Sequence, residues 1–488
     1  MTMKDIWQSR TSFILASIGS AIGLGNIWRF PYVCYANGGG AFLIPYLIAL
    51  LTSGIPLMVL EFSLGHKFSK PAPAAFGNIK KGFEVLGWFA LLIGFGIVTY
   101  YAVVMGWCFN YLGYSFNLAW GKDTQTFFFN QFLKISDSPM HIGSIQWMIV
   151  LGLVLTWIAI IASIWKGPNT VGKVVYYTVI IPWIILIVLV IRGITLPGAI
   201  EGLKFYLTPK FSALLDYKVW LAAYSQVFFS LTIGFGVQIT YASFLPRDSD
   251  VVNNAFLVSF ANNATSFVGG FAVFSTLGYY AQQTGLPVSE VVKSGPHLAF
   301  VTYPTIISML PFAAGLFGIL FFLMLLTLGI DSAFSLVEAG AASIIDKFKL
   351  KRIYVNIGFG IIAMLIGIIY TTRGGLYWLD IVDHFMNNYG LLVVGIIECI
   401  AIGYFYNHKE LREYANSKSD FTIGPWWDFC IKFLTPIVVG ILFVTNIIER
   451  IKAPYGGYSR FAEFLGGWLL IILFIIIAVF LFRTRRRE

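Results

Sequence analysis

The sequence predicts an all-α, polytopic membrane protein of twelve transmembrane helices. Its expected plan is a five-plus-five inverted repeat with two broken helices, spans 1 and 6. Three observations carry this reading. The 488 residues are 58% hydrophobic and only 11% charged, with a mean hydropathy of +0.79; a soluble domain carries about 25% charged residues. Apolar runs of about 20 residues recur along the chain, each long enough to cross a bilayer. Two of those runs, Ala16 to Pro31 and Ser225 to Gly236, are interrupted by glycines.

The spans fall at about 11–35, 41–66, 85–117, 146–165, 172–192, 218–245, 254–282, 308–345, 352–371, 377–406, 426–449 and 461–483. Span 1 is weakened by Gly23, Gly25 and Pro31, and span 6 by Thr232, Gly234 and Gly236. Glycine costs about 1 kcal/mol against alanine inside a helix. In hydrocarbon the freed N–H and C=O groups need partners, so such breaks belong against protein, water or ligand. Close packing through small residues is the alternative for either segment alone. Two such segments in corresponding places point to a solute site halfway across the bilayer.

Basic residues cluster after span 2 (Lys67, Lys70, Lys80, Lys81), between spans 4 and 5 (Lys166, Lys173), between spans 8 and 9 (Lys347, Lys349, Lys351, Arg352) and after span 10 (Lys409, Arg412). These loops, the N-terminus and the Arg483–Arg487 tail are therefore expected on the cytoplasmic side of the cell membrane. The division that follows is an N-terminal cytoplasmic segment 1–10, repeat one at 11–192, an exterior loop 193–217, repeat two at 218–406, spans 11 and 12 at 426–483, and a basic tail 484–488. Loops 119–143 and 284–307 are exterior; the latter, with three prolines, is positioned to dip back as a cap. Lys4 and Asp5 lead straight into span 1, so no cleavable signal peptide is expected.

The net charge of +10 sits in short loops and the tail, which membrane topology explains without nucleic acid. Cys34, Cys108, Cys399 and Cys430 lie in apolar segments without metal-type spacing. Gly167 to Lys173 imitates a phosphate-binding loop, but Val174 follows where Ser or Thr is needed and no strand precedes it. Gly23-Leu-Gly25 lacks the strand and third glycine of a dinucleotide site. Asn263-Ala-Thr265 is a glycosylation sequon inside span 7. The five histidines are scattered and no nucleophile-plus-base set is present, so an enzyme is not expected.

Polar residues inside the spans mark the candidate site. A lone aspartate at membrane depth costs at least about 2.5–3.5 kcal/mol. Asp331, with Ser332 beside it, therefore holds a cation or is a protonated or interhelix-bonded carboxyl. Broken-helix carbonyls suit a small hard cation such as sodium. Asn262, Asn263, Thr265 and Ser266 make span 7 polar, and Tyr46, Gln226 and Ser230 add neutral donors on other helices. Together they can hold an anion or simply bond one another. Glu61 and Glu398 are expected to accept from loosened backbone N–H groups.

Gly23-Leu-Gly-Asn-Ile-Trp-Arg-Phe-Pro31, Asn37-Gly-Gly-Gly-Ala-Phe-Leu-Ile-Pro-Tyr46, Gly54-Ile-Pro-Leu-Met-Val-Leu-Glu61 and Leu328-Gly-Ile-Asp-Ser332 together resemble the neurotransmitter:sodium symporter family, of the prokaryotic amino-acid type. The resemblance runs from Trp7 to about span 10. It implies sodium-coupled uptake of a small neutral amino acid by alternating access.

The resemblance places a first sodium at Ala21, Asn26, Ser230 and Asn262, and a second at Gly19, Ile22, Leu328, Asp331 and Ser332. Substrate would lie against Ala21, Leu24, Gly25, Ile97, Tyr101, Phe229, Ser230, Thr232, Phe235, Ser332 and Leu336. An outer gate would pair Arg29 with Asp383, and an inner gate would use Trp7 and Arg10 with Asp346. Lys4 stands where the family often has arginine, and Phe244 where it often has tyrosine.

Two positions refine the expectation. Monoamine carriers of the family put an aspartate where this chain has Gly23, so the solute here is expected to bring its own carboxylate. Chloride-independent bacterial members tend to carry an acid at Ser266. Ser266 with Tyr46, Gln226, Ser230 and Asn262 matches the chloride-dependent pattern instead. Alternatives at this stage are a carrier of another carboxylate-bearing solute such as betaine, or an amino-acid sensor or channel.

Overall fold

The computed structural model describes residues 6–486. Helices follow one another throughout, and the only β-type pairings among the described residues are two isolated bridges, Gly39–Pro209 and Ile145–Thr372. Among the described residues, nine helices are long and apolar enough to cross a membrane: Gly40–Phe68, Lys81–Tyr114, Pro168–Ile194, Val251–Thr284, Ala314–Phe348, Arg352–Thr371, Gly375–Phe405, Pro425–Gly457 and Arg460–Arg483. A tenth is the bent pair Arg10–Ala21 and Leu24–Ala36, which turns by 53°. Reaching the twelve expected from the sequence requires counting two further elements. These are the short apolar helix Trp147–Ser163 and the split pair Tyr217–Ser230 and Val237–Ala242.

The two breaks have different causes. In span 1 the chain turns extended at Ile22 and Gly23. Gly23 sits in a tight place there: a Cβ would stand 3.0 Å from Ser332 Oγ and 3.2 Å from Tyr101 Oη. In span 6 the break is conformational. Gly234 and Gly236 have φ of +82° and +70°, and Thr232 joins them at +54°. A non-glycine residue there costs of order 1 kcal/mol or more, and Thr232 offsets it by donating its hydroxyl to Ser20 O at 2.9 Å.

Around these breaks the first half of span 1 packs on spans 5, 7 and 8, and the second half of span 6 packs on span 2. The latter contact is backbone to backbone: a Cβ on Gly65 would lie 2.0 Å from Ile239 O. Short helices occupy the connections, including Ala72–Ile79, Ala199–Leu207, Tyr303–Ser308 and His408–Asn416. The 284–307 connection does fold inward, and its Ser294–His297 stretch reaches the central cavity.

Candidate functional site

The two breaks meet. Ser20 O accepts from Thr232 of span 6 and also from Ser332 Oγ of span 8 at 3.2 Å. Ser332 also donates to Ile22 O at 3.2 Å. Leu24 N reaches Tyr101 Oη at 3.4 Å, and Gly234 N donates to Glu61 Oε1 at 2.6 Å. Backbone groups that a continuous helix would have consumed are thus shared among spans 1, 2, 3, 6 and 8, which is how broken helices are tolerated at membrane depth. Glu61 acts as the expected acceptor; neither oxygen of Glu398 has a hydrogen-bond partner among the described residues.

Asp331 is 1% exposed, and neither of its oxygens has a hydrogen-bond partner among the described residues. Thr178 comes near it but donates its hydroxyl to Val174 O at 3.1 Å. The carboxylate lies against the backbone of Gly19, where a Cβ would come within 2.5 Å of Asp331 Oδ2. Leu328 is one turn earlier on the same helix. The residues Gly19, Ile22, Asp331 and Ser332 are therefore brought to one place, as a hard cation requires.

The second cluster is amide and hydroxyl. Asn26 Oδ1 accepts from Gly23 N at 2.8 Å, and its Nδ2 donates to Asn262 Oδ1 at 2.9 Å and Ser266 Oγ at 2.8 Å. Asn262 Nδ2 donates to Ser230 Oγ at 2.7 Å. Both amide oxygens keep a second lone pair, and Ala21 ends the helix beside them. Tyr46 donates to Asn263 Oδ1 at 2.7 Å, a partner outside the set named for the anion. Gln226, 1% exposed, has no hydrogen-bond partner for either side-chain atom among the described residues. Tyr46, Gln226, Ser230, Asn262 and Ser266 are all buried, and all are neutral.

A cavity of about 770 Å³ opens from these clusters. Its wall includes every residue the resemblance assigns to substrate: Ala21, Leu24, Gly25, Ile97, Tyr101, Phe229, Ser230, Thr232, Phe235, Ser332 and Leu336. The cavity continues past Arg29, Asp380 and Asp383 to Tyr455 and Tyr458.

The outer pair is not closed. Arg29 stacks on the Phe229 ring, 4.2 Å from its centroid. Asp383 accepts from Tyr100 Oη at 2.5 Å and from Asn387 Nδ2 at 2.9 Å. Each expected gate residue has other partners, and both line the cavity.

The opposite end is closed. Trp7 is buried; its Nε1 donates to Tyr241 O at 2.8 Å and its backbone N to Phe244 O at 3.0 Å. The expected joining of Arg10 to Asp346 is corrected. Arg10 faces Asp250 (3.8 Å) and donates to Asn254 Oδ1 (2.9 Å) at the start of span 7. Asp346 instead meets Lys70 (3.3 Å), Lys349 (3.9 Å) and Arg486. The choice follows reach: Arg10 begins its helix against span 7, whereas Asp346 ends span 8 among the basic loop residues. Lys4 lies outside the described residues.

Some participants were not singled out by sequence. Ser20 O is the shared acceptor of two helices, and its hydroxyl pairs with Ser335 Oγ at 2.8 Å. Its place just before the break was the available signal. Asp250, Asn254 and Tyr100 had none, because each acts through a partner far along the chain; Asn387 lies one turn from Asp383 and was within reach of the sequence.

Comparison with known proteins shows the family. The family model described as the sodium:neurotransmitter symporter family matches residues 4–127 and 121–487. An uncharacterized sodium-dependent transporter of Methanocaldococcus jannaschii is 44% identical, covering 97% of this chain and 96% of its own. The human sodium- and chloride-dependent GABA transporter 2 is 37% identical over 96% of this chain and 84% of its own. The rat sodium- and chloride-dependent taurine transporter is 34% identical over 99% and 85%. The chain is a membrane transporter rather than an enzyme, and it belongs to the sodium:neurotransmitter symporter family.

Proposed function

We propose that this protein imports a neutral amino acid together with sodium, with chloride stimulating the cycle, by alternating access across the cell membrane. The observation that carries the reading is Asp331, whose two buried oxygens have no hydrogen-bond partner among the described residues, beside a broken helix and next to Ser332, which lines a solute-sized cavity. A cation there offsets a charge that otherwise costs several kcal/mol to bury. Sodium fits the oxygen-only donors, with Asp331, Ser332 and the carbonyls of Gly19, Ile22 and Leu328 holding one ion. Asn26, Ser230, Asn262 and the Ala21 carbonyl hold a second, completed by the carboxylate of the solute.

Gly23 and Gly25 bring the span 1 backbone close to Tyr101, Ser332 and Phe229, beside the place where that carboxylate would bind. The walls formed by Ile97, Phe229, Phe235 and Leu336 favour a small or medium apolar side chain. Among relatives, the names of two specify GABA and taurine, and one from Caenorhabditis elegans specifies dopamine. Gly23, which supplies no fixed negative charge, favours a zwitterion over an amine. Two sodium ions and a zwitterion bring two positive charges, and Asp331 offsets one. Chloride among Tyr46, Gln226, Ser230, Asn262 and Ser266 offsets the other. One charge pair at about 4 Å is worth about 4 kcal/mol at an effective dielectric of 20. Residues 11–192 and 218–406 are the two repeats that rock about this site, with both termini in the cytoplasm.

Uptake of the twenty amino acids into proteoliposomes, with sodium and then with potassium outside, tests the proposal. Saturable, sodium-dependent accumulation of a neutral amino acid is expected, with decarboxylated analogues failing to compete. Preferential uptake of betaine would favour the osmolyte reading, and sodium-independent currents would favour a channel.

A further inference from the structure

A second cleft lies apart from the central cavity, and among the described residues none lines both. It sits between the end of span 5, span 7, the start of span 8 and the inward-folded connection. Arg192 is its one charged residue, two positions before the end of Pro168–Ile194 and so at the level where a span meets water. Nη1 reaches Thr195 Oγ1 at 3.4 Å, but Nε and Nη2 are buried without a hydrogen-bond partner among the described residues. The guanidinium is held over Phe312 and Phe317, 4.7 and 5.7 Å from the ring centroids. Cation–π contact attracts the charge but supplies no acceptor. Buried donors on a fixed cation call for an anion.

We propose that this cleft binds the phosphodiester of a membrane lipid in the leaflet on the side of the cavity mouth. A lipid is favoured over a free ion for two reasons. The remaining wall is almost wholly apolar, with Leu189, Ile306 and Leu310 suited to the first methylenes of an acyl chain. The flanking side chains Ile187, Ile191, Phe312 and Leu316 are exposed large apolar groups, so the approach to Arg192 runs along the lipid-facing surface. Arginine presents a planar fork that matches phosphate oxygens two at a time. The connection that walls the cleft with Ile306 and Ile307 walls the central cavity with Ser294–His297, so an occupied cleft would brace it from behind.

The test is native mass spectrometry of the purified full chain titrated with phosphatidylglycerol, with diacylglycerol as the phosphate-free control. Arg192→Gln should weaken the tightest phosphatidylglycerol step by about five-fold or more, the effect of one basic side chain near a lipid surface. Arg192→Lys should fall between the two, and diacylglycerol should not distinguish the proteins. An unchanged sodium-dependent thermal shift in both variants verifies that they fold. Equal phosphatidylglycerol binding by wild type and Arg192→Gln would overturn the assignment. So would an Arg192-dependent thermal shift given by inorganic phosphate alone, which would mark a free-anion site.

Discussion

At the scale of single residues, the site is defined by side chains whose polarity the protein leaves unmatched. Among the described residues, Asp331 has acceptors without donors, and Gln226 has an amide without partners. Removing the charge should remove the cation: Asp331→Asn is expected to weaken sodium binding by about a hundred-fold, the effect of about 3 kcal/mol lost from one buried charge pair. Sodium-dependent thermal stabilisation reads this directly. Gly19→Ala is subtler. Its Cβ would arrive 2.5 Å from Asp331 Oδ2, at the end of a side chain that can move. The fold should survive while sodium affinity falls about ten-fold, the cost of an added methyl being about 1–3 kcal/mol. At the neutral anion cluster, Ser266→Glu would install the missing charge. Uptake in gluconate should then equal uptake in chloride, whereas the wild type should be slower in gluconate.

At the scale of elements, the breaks rest on different physics and should fail differently. Gly234→Ala and Gly236→Ala oppose a left-handed backbone, costing about 1 kcal/mol or more each. They should slow transport more than they lower the melting temperature. Gly65→Ala drives a Cβ into the Ile239 carbonyl, a rigid backbone atom, and should prevent assembly of spans 2 and 6. Loss of monodisperse protein in detergent would report it. The glycine breaks were legible in the sequence because glycine and lipid make a conspicuous conflict. The short helices in the connections were not, since they answer to local packing rather than to the bilayer. Nor was Arg10 pairing with the span 7 start: an ion pair between residues 240 positions apart is set by helix placement. The Arg29–Asp383 pair implied by the resemblance is not formed here: Arg29 stacks on Phe229, and Asp383 accepts from Tyr100 and Asn387.

At the scale of the whole molecule, one end is open and the other shut. The cavity runs to Tyr455 and Tyr458 at its mouth, while Trp7 is locked onto Tyr241 and Phe244 below. Alternating access implies that these two closures trade places. Weakening the lower one with Arg10→Ala should shift the population inward. A cysteine placed at the mouth, at Leu376, should then react more slowly with a membrane-impermeant thiol reagent. An unchanged rate would mean that Arg10 does not hold the lower closure.

The most direct test of the central claim is equilibrium binding of radiolabelled sodium to purified wild type and Asp331→Asn, each with and without the neutral amino acid that proteoliposomes accumulate best. Saturable sodium binding by the wild type, tightened by the amino acid, is expected, with the stoichiometry of tight sites falling from two to one in the variant. Equal sodium binding by the two proteins would contradict the claim.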